Sequence, residues 1–507
     1  MPRISREPNS RPAIFRNLLD ILDNLEKNVV LSRWDAGQQK AFSWQCDSWW
    51  KNQPEIHQFI APAKKQRYVD FFWSTFRLEF LIPSRLLCAI HLVLMKKFIL
   101  LIALGTAGIS QAVIAQELPL ATPAKAGLSE TKLAEIDRFM ERQVSDQKQA
   151  GSIVMVSHGG KIGFFQSYGL MDREAQKPMA KDTIFRIYSM SKAITTAGAL
   201  HLYEAGKIGL DDEVSKYIPG FANLTVATTN GLRPPLRPVT IRDLMLHISG
   251  LTYGEGPRAL KEAFARLKPM ESTNLAEMVE KLAQVPLAFD PESDWSYGVG
   301  IDVLGRVIEV ASGKSLDEFL AHTIFQPLDM KDTSFRVPPE KLGRFAANYA
   351  RTNGTLNLID APADSKFAKH VTLFSGGGGL VSTARDYMRF LTMIEQGGSL
   401  DGHRILHPKT VKLMSNNLLP DKAFPIYFGK EKRYGTGFGL GFAVCTEVTS
   451  WDPAAHVGEF GWDGAASTHY WISPADKMIV VTLEQIRPYQ WDTERGIKKT
   501  IYDAIQK

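Results

Sequence analysis

Strand-forming sequence stands at both ends of a long segment whose middle reads as helical, and this placement limits the fold more than any other feature. Near the front, SIVMVSHGGKIGFFQSYG gives two β-rich runs around His158-Gly159-Gly160, the pattern of a hairpin. Near the end, HYWIS (469–473) and KMIVVTLEQ (477–485) flank Pro474-Ala475-Asp476 in the same way. A closing helix is predicted over Thr493–Gln506, and residues 128–149 are polar and helix-compatible. Between the two strand pairs, Thr240-x-x-Asp243, Ser315-x-x-Glu318 and Thr383-x-x-Asp386 each match a capping box at a helix start. Backbone groups of a strand need a partner strand. The pattern therefore predicts one antiparallel sheet closed by the two ends, with flanking helices and a mostly helical second lobe over roughly 210–370. This is an α+β architecture, not a series of βαβ units.

Charge divides the chain unevenly. The net charge is +6, yet residues 116–507 carry 45 Lys+Arg against 45 Asp+Glu. The basic excess belongs to the front, where residues 1–94 hold 13 against 9 and Lys96 and Lys97 add two more. A nucleic-acid binder keeps a basic excess on its main domain, so no nucleic-acid partner is expected. With 44% hydrophobic and 22% charged residues, long disorder and a multi-span membrane protein are excluded as well.

Met95-Lys96-Lys97 precedes eighteen uncharged residues, FILLIALGTAGISQAVIA, which end in small residues at the last and third-last positions. That is the pattern of a secretory signal peptide over 95–115. Gly105, Gly108, Ser110 and Gln111 interrupt the run, which is poor for a permanent span. Signal peptides begin chains, so residues 1–94 read as an extension upstream of the true start at Met95. The other reading is a cytoplasmic extension with the apolar run as a single-pass anchor. A mature N-terminus upstream of Met95, found by sequencing the natural protein, would rule out the first. Only Cys445 follows the signal, so no disulfide and no C-x-x-C site is expected. A periplasmic or secreted bacterial protein is the expectation, with residues 116–507 as its domain.

The strongest chemical feature is FRIYSMSKAITTAGALHLYEAGK. Ser189 and Lys192 stand three apart at the start of an apolar helix that runs to Gly206, so hydroxyl and ammonium share a face. A serine is a weak nucleophile without a base, and a lysine serves as one only when burial or charge lowers its pKa. S-x-x-K occurs four times, at Ser48, Ser129, Ser145 and Ser189, and only the last has apolar surroundings. Spacing alone leaves a helix cap and a surface lysine equally open.

Five blocks in order decide the matter: FRIYSMSKAIT, TIRDLMLHISGL (240–251), WSYGVGIDVLGRVIEVASGKS (295–315), GGGGLVSTARDYMRFL (376–391) and FGWDGAAST (460–468). Together, from about Leu128 onward, they resemble the serine β-lactamase-like superfamily, and most closely its class C-related esterases, the family VIII carboxylesterases. The resemblance implies a β-lactamase/DD-peptidase-like fold and a serine hydrolase. It makes Ser189 the nucleophile, Lys192 its proton partner and Tyr297 the tyrosine of the second motif. Trp462-Asp463-Gly464 becomes the third motif on an edge strand, with Gly464 allowing close approach of substrate. The amides of Ser189 and Ala465 would form the oxyanion hole, and Trp462 would offer an apolar wall. Penicillin-recognising relatives carry Y-x-N and K-T-G, but Tyr297 is followed by Gly298 and Val299, and no K-T-G or K-S-G occurs. The implied substrate is therefore a neutral ester with a short acyl chain, and no metal or cofactor is called for.

A weak β-lactamase, a D-amino-acid peptidase and a non-catalytic ligand-binding scaffold are the competing readings; the partner in each is a small ester, amide or acyl ligand. Gly376–Gly379 lacks a following G-K-S/T and reads as a turn rather than a phosphate cradle. His247, His456 and His469 form no metal pattern and read as structural. His456-Val457-Gly458 imitates an H-x-G edge motif but does not lead into the last hairpin. YGTGFGLG (434–441) reads as the turn and strand before the active-site edge. Residues Tyr253 to Leu287 match no interpretable motif, and the oligomeric state is not encoded in anything legible.

Overall fold

β1 (Gly151–His158) and β8 (Met478–Glu484) lie side by side and antiparallel, with Ser152 opposite Glu484 and His158 opposite Met478. The two ends of the domain thus meet in one sheet. The computed structural model describes residues 117–428 and 431–506, all within the unit that runs from Val113 to Lys507. The extension at 1–94 and the signal-like segment at 95–115 lie outside the described residues. The remaining strands are β2 (Lys161–Asp172), β3 (Lys177–Pro178), β4 (Thr436–Phe438), β5 (Ala443–Cys445), β6 (Phe460–Gly464) and β7 (Thr468–Ser473). The eight-stranded order is β4-β5-β6-β7-β8-β1-β2-β3.

Both faces of this sheet are covered, which is why its central strands read as unbroken apolar runs. Along β1, Ile153 and Met155 enter the main core while Val154 and Val156 enter a second one. The second core is closed by α1 (Glu130–Ser145) through Leu133, Ile136 and Met140, and by α10 (Asp492–Asp503) through Ile497 and Ile501. The main core takes α2 (Ser191–Glu204) through Ile194, Ala197 and Leu200, and α8 (Ala384–Glu395) through Tyr387 and Leu391. Side chains alternate across a strand, so each covered face claims every second residue. Burying a Val, Leu or Ile is worth roughly 1.5–3 kcal/mol, and the lattice of such contacts fixes the sheet between its helices.

The segment between the strand pairs holds α3 (Ile241–Leu246), α4 (Arg258–Leu267), α5 (Leu275–Leu282), α6 (Gly300–Ser312) and α7 (Leu316–Leu320). Its hairpins include Val226–Thr228 with Gly231–Arg233 and Asn348–Thr352 with Thr355–Asp360. A further helix, α9 (Pro408–Ser415), follows α8. Among the described residues no helix is long and apolar enough to cross a membrane.

Helix ends show where local signals hold and where tertiary partners replace them. Thr240 and Asp243 form a complete capping box. Thr383 accepts from the Asp386 amide, but the Asp386 carboxylate turns to Asp332 N and Thr333 Oγ1 at 2.7 and 3.1 Å. Ser315 makes no side-chain cap, because Glu309 takes the Leu316 amide at 3.2 Å. The last helix stops at Asp503, short of Gln506, because the tail pairs with the front of the domain: Ser129 N donates to Ala504 O and Gln506 N to Gly127 O.

Candidate active site

Ser189 sits in a 3₁₀ turn, Tyr188–Met190, immediately before α2, rather than on the α-helix itself. Tyr188 has φ 42°, a left-handed conformation that an L-residue adopts at a cost of about 1–3 kcal/mol. The surroundings hold it there: Asn348 Nδ2 donates to its hydroxyl at 3.1 Å, Arg487 lies 5.7 Å over its ring, and Phe367 meets it edge-on at 6.1 Å. The strained turn lifts Ser189 to a partly exposed position while its neighbour Met190 is buried.

Lys192, on the first turn of α2, is 2% exposed. Its Nζ donates to Ser189 Oγ at 3.2 Å, to Tyr253 OH at 3.1 Å and to the Gly377 carbonyl at 2.6 Å. Burial depresses its pKa to about 8, against the pull of Asp302 and Asp463, whose negative charges favour the ammonium. The free amine beside the serine is therefore a minority form at pH 7, about a tenth of the molecules, and reaches half near pH 8. Asp302 also shapes the lysine's seat, since its Oδ1 accepts from Gly377 N at 3.1 Å and from Ser375 Oγ.

Tyr297 stands just ahead of α6, and Nζ of Lys192 lies 4.6 Å from the centre of its ring. Trp462 Nε1 donates to the Tyr297 hydroxyl at 3.2 Å. Burial pushes this phenol up, while hydrogen bonds with Ser189 and from Trp462 pull it down less strongly. Tyr297 is thus a neutral hydroxyl, ready to pass a proton on. The departure from Y-x-N has a packing reason. A Cβ at Gly298 would lie 2.1 Å from Leu251 O, and Val299 is fully buried. That tight approach brings the loop after α3 against Tyr297, so that Tyr253 packs on it with ring centres 5.8 Å apart. His247 packs on Tyr297 at 4.8 Å, and burial and then the Lys192 charge hold its pKa well below the usual range.

β6 delivers the third motif. β5 covers only Phe460 and Gly461 of this strand, so the outer edge of Trp462-Asp463-Gly464 carries no neighbouring strand. Gly464 is needed for a different contact from the one expected. A Cβ there would fall 2.4 Å from Ile187 O and 2.2 Å from Thr468 Oγ1. The close approach is thus to the turn that carries Ser189. Ala465 follows Gly464 directly in the chain, and no backbone hydrogen bond from its amide or from that of Ser189 is made to another backbone carbonyl among the described residues.

Ser189, Lys192, Tyr297, Trp462 and Gly464, drawn from three distant stretches of sequence, are linked in this one site, and Ala465 follows Gly464 in the chain. His456 is elsewhere, stacked on Tyr502 at 3.8 Å and paired with Asp476, and His469 pairs with Glu494 at 3.0 Å. Gly376–Gly379 is a turn leading to the helix capped by Thr383. Sequence reasoning passed over its further part, the Gly377 carbonyl on Lys192, and it passed over Tyr253, Asp302 and the strained Tyr188. Among the described residues no group of three or more His, Cys, Asp or Glu is placed to hold a metal ion.

A partly exposed serine hydrogen-bonded to a buried lysine and a tyrosine is the arrangement of a serine hydrolase. The chain belongs to the Beta-lactamase family, whose model matches residues 136–498, well over half of it. It is 32% identical over 354 residues to Protein Rv1367c of Mycobacterium tuberculosis, covering 67% of this chain and 86% of that one. To Esterase EstB of Burkholderia gladioli it is 29% identical over 373 residues, covering 69% and 89% respectively. Among solved structures it resembles "EstCE1, a hydrolase with promiscuous acyltransferase activity", with a TM-score of 0.65, 28% identity, and coverage of 73% and 99%. The protein is accordingly a β-lactamase-fold serine hydrolase with esterase and acyltransferase relatives.

Proposed function

We propose that the protein cleaves neutral carboxylic esters with short acyl chains by two-step transfer through acyl-Ser189. The observation that carries this reading is the bond from Trp462 Nε1 to Tyr297 OH at 3.2 Å. A neutral indole donor stands where penicillin-recognising relatives carry a lysine. It is walled by Phe428 at 5.7 Å and Tyr297 at 5.3 Å between ring centres, surroundings suited to an uncharged acyl group.

Ser189 Oγ attacks the ester carbonyl carbon while its proton passes to the free amine of Lys192. The oxyanion is held by the amides of Ser189 and Ala465, donors of a kind often worth about 3–4 kcal/mol in the transition state. As the intermediate collapses, the C–O bond to the alcohol breaks, and the alkoxide takes a proton from Tyr297, which Lys192 replenishes. Water then adds to the acyl-serine and gives its proton to the same pair. Ser189 leaves reprotonated, and the acid is released.

The test compares wild type with Ser189→Ala and Tyr297→Phe on a short-chain nitrophenyl ester and on a chromogenic cephalosporin, with and without an added alcohol acceptor. Ester turnover that far exceeds cephalosporin turnover and vanishes in Ser189→Ala supports the reading. Dominant cephalosporin hydrolysis refutes it. Faster ester consumption with the alcohol identifies transfer as a second fate of the same acyl-serine, in keeping with the promiscuous acyltransferase activity of EstCE1.

A further inference from the structure

A run of stacked cations and rings extends from the domain surface to the nucleophile's lysine. Arg495, exposed on α10, lies 4.5 Å from the ring centre of Trp451 and 5.0 Å from that of Trp491. The same two tryptophans flank Arg433, at 4.8 and 4.9 Å. Arg433 in turn lies 4.1 Å from the ring centre of Phe428 and 5.7 Å from that of Trp462. Phe428 and Trp462 both pack on Tyr297, at 5.2 and 5.3 Å, and Lys192 stands over Tyr297.

Arg433 is 7% exposed and pairs through Nε with Glu431 at 3.1 Å. Asp463 and Glu494 are the other carboxylates that feel its charge. Taking a guanidinium out of water is costly, and an apolar side chain of the same length would fill this slot at less cost to stability. A planar cation supplies what such a side chain lacks: a rigid face that holds aromatic planes in one orientation.

We infer that Arg433 is a positioning residue for the ester reaction: stacked on Trp462 and Phe428, it fixes the indole plane that presents Nε1 to the Tyr297 hydroxyl. The inference rests on the reading of Tyr297 as the proton relay. It assigns a role to the residue just before YGTGFGLG (434–441), the stretch read from sequence as a turn and strand. Misorientation of the indole weakens a hydrogen bond at the atom that must release a proton, so the loss falls on the chemical step and not on substrate binding.

The experiment measures kcat and KM on the nitrophenyl ester for wild type, Arg433→Met, Trp462→Phe and the double variant. Arg433→Met is expected to lower kcat about tenfold with KM within twofold. In the Trp462→Phe background, where the indole N–H is already gone, the same change is expected to have almost no further effect on kcat. An unchanged kcat in Arg433→Met overturns the inference, and so does an equal loss in both backgrounds. If Arg433→Met does not fold, Arg433→Lys takes its place: it keeps the charge, lacks the plane, and is expected to lose about threefold in kcat, again only when Trp462 is present. A wild-type kcat in Arg433→Lys overturns the inference too. Absence of ester turnover in wild type would instead refute the proposed function, so the two failures are distinct.

Discussion

Gly464→Ala probes whether the end of β6 and the nucleophile turn form one device. The new Cβ would lie 2.4 Å from the Ile187 carbonyl oxygen, where real contacts stay beyond about 3 Å, so one partner must move by at least about 0.6 Å. Thr468 Oγ1, at 2.2 Å, can rotate away, since it makes no hydrogen bond. Ile187 cannot, because its amide is bound to Leu380 O and its carbonyl accepts from Met190 N. Ile187 lies two residues before Ser189 and Gly464 one before Ala465, so the shift would move apart the two amides proposed above as the oxyanion donors. Misplacing one such donor costs about 10²–10³ in kcat. Overpacking costs stability a further 1–3 kcal/mol or so. The assay is nitrophenyl ester turnover with KM measured separately, and KM is expected to stay within threefold. Thr468→Ala combined with Gly464→Ala removes only the side-chain overlap, so the double variant is expected to stay slow. Recovery to wild-type kcat in the double variant, or a wild-type kcat in Gly464→Ala alone, would refute the reasoning.

Further outcomes follow from two buried titratable groups, Lys192 and Glu484. With the amine of Lys192 as proton acceptor and its pKa depressed to about 8, ester kcat/KM should rise with pH through about 8. Asp302→Asn removes a charge that favours the ammonium and should move that limb to lower pH; a shift to higher pH would contradict the assignment. Glu484, 3% exposed on β8 with Oε1 unpartnered, has its carboxyl pushed up to about 8 by burial. A carboxyl raised above its unfolded pKa adds stability below about pH 4.5 that is lost as pH rises through about 8. Glu484→Gln should therefore flatten the fall in Tm between pH 5 and 9 and melt a few degrees above wild type at the alkaline end. An unchanged slope of Tm against pH would count against the buried, protonated carboxyl.

How much of this was legible follows from what each feature depends on. The sheet closed by both ends could be read because strand pairs announce themselves within about twenty residues, through β-rich runs and a turn. Ser189 and Lys192 could be read because a helix turn brings i and i+3 together whatever the rest of the chain does. Tyr297, Trp462, Gly464 and Ala465 were reached only through resemblance, since nothing local places them beside Ser189. Gly377, Tyr253 and Asp302 were missed because segments distant in sequence bring them to Lys192, and nothing in their own neighbourhoods marks that meeting. Gly377 acts by its carbonyl, which any residue possesses, and its identity as glycine records only that a Cβ would meet Asp302 Oδ2 at 2.4 Å. Tyr253 lies in a stretch with no motif and is carried to Lys192 because Gly298 lets Leu251 and Thr252 come close. Gly464 was singled out for the approach of substrate, whereas the contact visible at it is with the backbone, where a Cβ would meet Ile187 O at 2.4 Å. Side-chain chemistry leaves a mark in sequence, whereas the backbone that aims it leaves only glycines and one strained tyrosine. Substitutions at Gly298, Gly377 and Gly464 therefore test this site as directly as substitutions at Ser189 and Lys192.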